Sequence, residues 1–417
     1  IFTGTGYFAA AVPDATAVVL GWTIGGVIAL CGAAAYAELG AMMPRGGGEY
    51  VYLREAYHPM LGALSGWVSL WAGFSAPIAS QALLFEKYLG TVVPGIPDRF
   101  GAIGLIAAMT VLHGFDVALG SRVQLVFTAL KVALIAVFIG AGLLVGSGDF
   151  GHFASAPGVS SSEAIFTGVF AVQLIYVSFA YSGWNAAAYI AGEIRDPRKN
   201  VPRALLLGTG IVTLLYVGLN VVYFYAAPPA ALAGKHEVAD VAARALFGDA
   251  VGNLLSTMIA LALVSAVSAM VMAGPRVYAA MAEDRAFFPV FAARNRRGAP
   301  TWSVLLQGAL AIVICLFADL AKIIGYVGFT LGISAALTVA AVVVLRVRKP
   351  DVARPYRTFG YPLTPIAFVA ASAWIVYWSI DSNPAGAWWG LGTLASGAVV
   401  MLVSSTVGRR RGEQRRG

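Results

Sequence analysis

One lysine sits where a lysine is costly. Lys131 interrupts the apolar run 123–146, about nine residues past Arg122, or roughly 13 Å at the rise of a helix. A charged side chain that far from either end of an apolar segment faces protein or water and marks function by default. A buried amine can release and regain a proton during a working cycle. It can also act as a fixed ammonium that ties helices together. Both readings of Lys131 stand on the sequence.

A second kind of chemistry is carried by backbone. The run 164–192 has few charges and is too long for one straight crossing; its middle reads Phe179-Ala180-Tyr181-Ser182-Gly183-Trp184-Asn185. Gly183 weakens a helix, and Ser182 offers the backbone a local hydrogen-bond partner. A break here frees amides and carbonyls, tolerated at membrane depth only where they line a cavity or are buried in protein. Freed amides at a half-helix N-terminus suit a carboxylate, and freed carbonyls suit an ammonium. The other reading is a tilted, kinked structural helix. Residues 2–11 repeat the pattern: Phe2, Thr5, Gly6, Tyr7 and Ala9–Ala11 align with Phe179, Ser182, Gly183, Trp184 and Ala186–Ala188, seven of ten positions identical or similar. Gly-interrupted segments at corresponding places in two halves point to a transporter's midplane site.

Four charges, Glu38, Arg45, Glu193 and Arg276, fall near the ends of apolar runs. They read either as an ion-pair network that seals one face or as solvated flanking charges. Glu86 and Lys87 read as a surface pair. The triplet Gly46-Gly47-Gly48 is not a phosphate loop, because no Lys-Ser/Thr follows it and no strand precedes it. The four histidines (His58, His113, His152, His236) show no metal-ligand spacing, and Cys31 and Cys315 lie inside apolar runs as small hydrophobes. No metal and no cofactor are expected.

The elements that must position these residues follow from composition. The 417 residues are 59% hydrophobic and 12% charged, against about 25% charged in ordinary globular chains. That balance excludes a soluble enzyme, a nucleic-acid binder and a disordered protein, and leaves an all-α polytopic membrane protein. Apolar runs near 15–39, 60–86, 100–114, 123–146, 164–192, 204–226, 250–275, 302–320, 324–346, 362–380 and 387–406 give eleven spans, with 1–12 as a half-span. Alternate loops and the tail hold 22 of the 28 Lys and Arg, and the opposite loops hold five. The first set is therefore expected to be cytoplasmic, as is the C-terminal tail. The tail GRRRGEQRRG reads as a lipid-binding polybasic patch or as an ordinary stop-transfer flank. The spans hold almost no His, Asp or Glu, which argues against a membrane-embedded enzyme. No repeated polar ring argues for a channel.

Six stretches, in order, resemble the amino acid–polyamine–organocation superfamily of secondary transporters, most closely its bacterial L-type-like amino acid permeases. They are Ile1-Phe2; Tyr36-Ala-Glu-Leu-Gly40 with Pro44-Arg-Gly-Gly-Gly-Glu-Tyr50; Gln124–Lys131; Phe179–Pro202; Ser265–Pro289; and Arg354-Pro-Tyr-Arg357. The resemblance implies two inverted five-helix repeats with helices one and six broken. The first repeat would be 1–146, the second 164–346, two further helices 362–406, and a basic cytoplasmic tail 407–417. It implies a substrate cradle of Ile1, Phe2, Thr3, Gly4, Phe179, Ala180, Tyr181, Ser182, Gly183 and Asn185, with Phe179 as the gate over bound substrate; in a chain this aromatic, plain packing is the other reading. Lys131 would stand where sodium-coupled members hold an ion, with Ser265 and Ser268 as its hydroxyl neighbours. Glu38, Arg45, Glu193 and Arg276 would form the inner gate. The Gly-Ser-Gly of the family's first break would precede Ile1, so the chain is expected to be a fragment lacking its first half-helix. Some relatives carry a carboxylate where this chain has Asn185, so no proton-sensing acid is expected there and a neutral substrate is favoured.

The expected function is a plasma-membrane permease for a neutral amino acid, working by alternating access with proton coupling. Its partners would be the amino acid, protons and the bilayer, with no nucleic acid. An exchanger or facilitator, or a permease for polyamines or cationic amino acids, is the alternative. A membrane-embedded enzyme or a channel stands further off.

Overall fold

The structure, a computed structural model, describes residues 3–93, 95–154, 165–317, 320–382 and 384–413. Helices account for the spans. In chain order they are α1 (Gly4–Ala11), α2 (Ala15–Met42), α3 (Glu49–Ala56), α4 (Pro59–Val68), α5 (Ala76–Val92), α6 (Phe100–Phe115), α7 (Val117–Leu144), α8 (Gly168–Tyr181), α9 (Ala186–Tyr189) and α10 (Pro197–Ala226). There follow α11 (Pro229–Leu232), α12 (Val238–Phe247), α13 (Asp249–Ala273), α14 (Pro275–Glu283), α15 (Thr301–Phe317), α16 (Leu320–Arg348), α17 (Leu363–Ser382) and α18 (Pro384–Glu413).

The starts of these helices are written locally. Asp14 caps α2 by accepting from the Ala17 amide at 2.7 Å, and the Thr167 hydroxyl accepts from the Phe170 amide at 3.2 Å to start α8. Proline stands in the first turn of α4 and α10, where its missing N–H costs nothing. Between α4 and α5 the backbone widens into a π-helical stretch, Ser69–Ser75. The proline that follows, Pro77, cannot donate into the preceding turn, which favours such a bulge. The two helices and the bulge make one span.

Among the described residues, seven helical stretches are long and apolar enough to cross a membrane by length and composition, and Phe100–Phe115 and Thr301–Phe317 are shorter apolar helices. The eleven apolar runs read from the sequence each fall on helix. Large apolar side chains such as Leu125, Val126, Val137, Leu214, Phe317 and Ile366 stand exposed on the outer surface, where a bilayer replaces water as the solvent. The sequence reading missed α3, which lies in the loop after α2, and α11 and α12, which lie in the loop after α10.

The largest contacts join α2 to α10 and α5 to α13, and α1 packs along α8. One core cluster, around Phe8, Trp22, Phe170 and Tyr223, fills the end of the bundle near α1. Another, around Tyr36, Tyr50, Tyr278 and Val342, fills the opposite end.

Candidate functional site

The long run 164–192 is broken, and the break falls on the residues that the sequence singles out. Regular α-helix stops at Tyr181; Ser182–Asn185 is 3-10, Ala186–Tyr189 is a single α turn, and Ala191–Glu193 is 3-10 again. The carbonyls released there are taken up one by one. Phe179 O accepts from the Ser182 amide, Ala180 O accepts from the Tyr216 hydroxyl at 3.3 Å, and Tyr189 O accepts from the Gly47 amide at 3.0 Å. Tyr181 is buried and donates its hydroxyl to Trp22 O at 3.1 Å, which pins the end of α8 to α2. Gly183 is exposed although it lies mid-span, and a Cβ built on it would meet no atom within 4 Å. The break therefore faces open space at Gly183. Phe179 is half-buried and bridges two apolar clusters, one around Phe8 and Phe170, the other around Ile78 and Val267.

The other half of the expected cradle is at the start of α1. Ile1 and Phe2 lie outside the described residues. Thr3 is buried, and its hydroxyl has no hydrogen-bond partner among the described residues. Gly4 sits against Trp22 and Tyr176, which is on α8 one turn before Phe179. The start of α1 and the end of α8 thus adjoin. The repeat between residues 2–11 and 179–188 is not carried into equal surroundings. Gly6, the partner of Gly183, is sealed: a Cβ there would lie 2.0 Å from Lys235 O, and Gly6 O accepts from the Gly234 amide at 2.9 Å. The α11–α12 loop closes over α1, whereas nothing closes over Gly183.

Asn185 is buried, and here the sequence reading needs correction. A carboxylate does reach it. Glu49 Oε1 accepts from Asn185 Nδ2 at 3.3 Å and from the Tyr36 hydroxyl at 2.6 Å, and Oε2 accepts from the Ser334 hydroxyl at 3.0 Å. Asn185 also donates to the Tyr189 hydroxyl at 2.9 Å. Glu49 is 2% exposed and pairs with no cation among the described residues. Burial pushes its carboxyl above the ordinary value, against the lowering effect of those three hydrogen bonds. Glu49 thereby ties α3 to α2, α16 and the second piece of the broken helix. The glycine triplet before it makes this possible. Gly47 and Gly48 have φ of +117° and +51°, and a Cβ on Gly48 would lie 2.4 Å from the Tyr189 ring. Only glycine lets the loop fold over the end of α9. The sequence signal was the triplet itself, set directly before a glutamate.

The four charges expected in one network are split among three. Arg276 and Glu193 do meet, in a bidentate pair of 3.0 and 3.2 Å that joins α14 to the end of the broken helix. Glu38 is paired instead with Arg346, at 3.0 and 2.6 Å, and lies 3.4 Å from Arg354; it also accepts from the Thr358 amide and hydroxyl. Arg45 meets Asp284 at 2.9 Å, and Asp284 accepts also from Tyr50 and Arg54. Despite partial burial, these donors hold the Asp284 carboxyl below its usual range. Arg346, Arg354 and Asp284 lie hundreds of residues from their partners, so no local pattern announces them.

Lys131 is not beside Ser265 and Ser268. It lies in a small apolar niche with Phe127, Met258, Leu261 and Ala262, and its ammonium has no hydrogen-bond or ion-pair partner among the described residues. Ser265 is 3.4 Å from Gln124 Nε2, and Ser268 shares a 2.8 Å hydrogen bond with His113 Nε2. Helices α7 and α13 run antiparallel, so Gln124 faces Ser265. Lys131, two turns further along α7, faces residues two turns earlier on α13. No group of three or more His, Cys, Asp or Glu able to hold a metal occurs among the described residues.

Comparison with known proteins gives this geometry its relatives. A family model described as amino acid permease matches residues 1–403. The chain is 30% identical over 379 residues to the mouse b(0,+)-type amino acid transporter 1, covering 87% of this chain and 75% of that protein. It is 29% identical over 392 residues to the mouse Large neutral amino acids transporter small subunit 2, covering 92% of this chain and 73% of that one. The human form of the latter is similar to the same extent, 29% over 392 residues. A helix broken at Ser182–Asn185 in an all-α polytopic membrane protein and a family match across nearly the whole chain agree: the chain belongs to the amino acid permease family.

Proposed function

We propose that this permease carries a neutral L-amino acid by alternating access, binding it by backbone at the break of the α8–α9 segment. The observation that carries the reading is the exposed Gly183 within a 3-10 turn, with open space at its Cα and no charged side chain along 179–185. The carboxylate nearest that segment, Glu49, spends both oxygens on Tyr36, Asn185 and Ser334, so it is not offered to a cationic substrate. Thr3 and Gly4 complete the cradle from α1, with Ile1 and Phe2 before them. Ala180, Tyr181 and Ser182 shape the break, and Phe179 is the gate. The naming of one relative for large neutral amino acids supports the same class. Two five-helix repeats, 1–146 and 164–346, are supported by the pairing of α2 with α10 and α5 with α13.

The ion pairs of Glu38, Arg45, Glu193 and Arg276 serve as the inner gate, in three pieces. Lys131 is the group proposed to couple transport to protons, acting without Ser265 and Ser268. The test is uptake into proteoliposomes. Neutral amino acids should compete with one another for uptake and putrescine should not. If putrescine competes and no neutral amino acid does, the substrate assignment fails. Lys131→Arg keeps the charge but cannot deprotonate, so it should bind substrate and lose accumulation driven by a proton gradient. Accumulation retained by Lys131→Arg makes Lys131 structural.

A further inference from the structure

A groove of about 370 Å³ opens at the start of α10, lined by Arg198, Lys199, Arg203, Leu206, Leu207 and Tyr356. Three cations and no carboxylate face it. All three are exposed, and none makes a hydrogen bond or ion pair with a described residue. The acids nearby in sequence do not neutralise them: Glu193 is held by Arg276, and Asp196 makes no side-chain cap on α10. A helix N-terminus already carries partial positive charge, so cations in its first two turns are unfavourable unless an anion is present. Evolutionary convenience aside, the arrangement is electrostatically incomplete.

The same helix face says what kind of anion completes it. Lys199, Arg203, Leu207, Ile211 and Leu214 succeed one another at three- and four-residue steps, the spacing of one face. The last three are 66%, 51% and 76% exposed. Charge gives way to bare hydrocarbon-compatible surface within one turn, about 5–6 Å. A free phosphate would use the cations and leave the leucines bare. An amphiphile with an anionic head uses both, and the helix spans the membrane in which such molecules are the solvent.

We propose that this groove binds the headgroup of an anionic phospholipid of the surrounding bilayer, with its acyl chains along the Leu207–Ile211–Leu214 stripe. No lining residue of the groove belongs to the basic tail. It also has a mechanical place. Only residues 194–196 separate α10 from the last turn of the broken helix, Ala191–Glu193. A lipid that fixes the first turns of α10 fixes the depth of the segment on which the break is hung.

The test reads lipid and stability and does not depend on which substrate is carried. The full chain is placed in nanodiscs of phosphatidylcholine with and without phosphatidylglycerol, and unfolding temperature and co-purified lipid (by native mass spectrometry) are measured. Phosphatidylglycerol should raise the unfolding temperature by mass action and remain bound. The triple variant Arg198→Gln, Lys199→Gln, Arg203→Gln should lose the shift and retain at least tenfold less lipid. Arg203→Gln alone should lose part of both, and it decides the matter if the triple variant does not fold. Neutralising Arg409, Arg410 and Arg411 should change neither. The proposal is overturned if the groove variants keep phosphatidylglycerol as the parent does, if the tail variant loses it, or if inorganic phosphate in detergent reproduces the whole shift.

Discussion

A carboxylate that is buried with three hydrogen-bond donors and no cation holds its proton more tightly than it does in water, and Glu49 is that group. The groups facing it are Tyr36, Tyr52, Asn185, Tyr189, Ser334 and Thr338, all uncharged near neutrality. Its folded value lies above 4.5, so above that pH the folded chain binds more protons at this site than the unfolded chain does. Stability therefore falls as pH rises through the window that starts near the ordinary value, by at most about 1.4 kcal/mol per pH unit. Glu49→Gln keeps the shape, removes the titration and should flatten this slope while keeping the fold. Thermal unfolding of both proteins between about pH 5 and 8 checks it. A glutamine variant with the parent's slope would place the titration elsewhere. One destabilised equally at every pH would mean that the carboxylate is ionised and needed as such.

At the scale of elements, two glycines separate packing from binding. Gly48 has positive φ, and a Cβ would strike the Tyr189 ring. Gly48→Ala should cost about 1–3 kcal/mol through strain and loss of the loop's seat on α9. Gly183 has no such constraint, and a Cβ there enters open space. Gly183→Ala should leave stability within about 0.5 kcal/mol and weaken amino acid binding at least tenfold. Unfolding temperature and a binding isotherm on the two variants give the contrast; unchanged binding by Gly183→Ala would move the substrate away from the break. The break itself was legible from Ser182-Gly183 at the middle of the run and not from its length, since α10 stays helical over Pro197–Ala226. Lys131 was legible as an oddity, and the face it meets was not. That face depends on the register of α7 against α13, which no residue of either helix encodes alone. Glu49 was passed over for the same reason. Its partners are supplied by α2, α16 and the broken helix, and only the fold brings them to one carboxylate.

Across the whole molecule, the ion pairs lie at the end of the bundle where the basic loops gather. Arg276 with Glu193 ties α14 to the broken helix, and Asp284 with Arg45 and Arg54 ties α14 to the α2–α3 loop. In the proposed inner gate, both sets part when substrate at the break reaches that side. Arg276 is buried while Glu193 is partly open, so removing one partner leaves the other's charge with only partial access to water. If the two sets together hold about 1.4 kcal/mol of the closed form, losing them shifts the balance about tenfold. Gly183 reports on this, since it is exposed to the open space of the site. With Cys31→Ser and Cys315→Ala removing the native thiols, Gly183→Cys can be labelled by a membrane-impermeant reagent applied from either side. Adding Arg276→Gln and Asp284→Asn should raise the labelling rate from the basic-loop side about tenfold and lower it from the other. The same measurement tests the expected orientation of the basic loops toward the cytoplasm, because in right-side-out vesicles the faster rate should be that of reagent trapped inside. A rate raised equally from both sides would mean that these pairs hold the fold together and do not choose between its two openings.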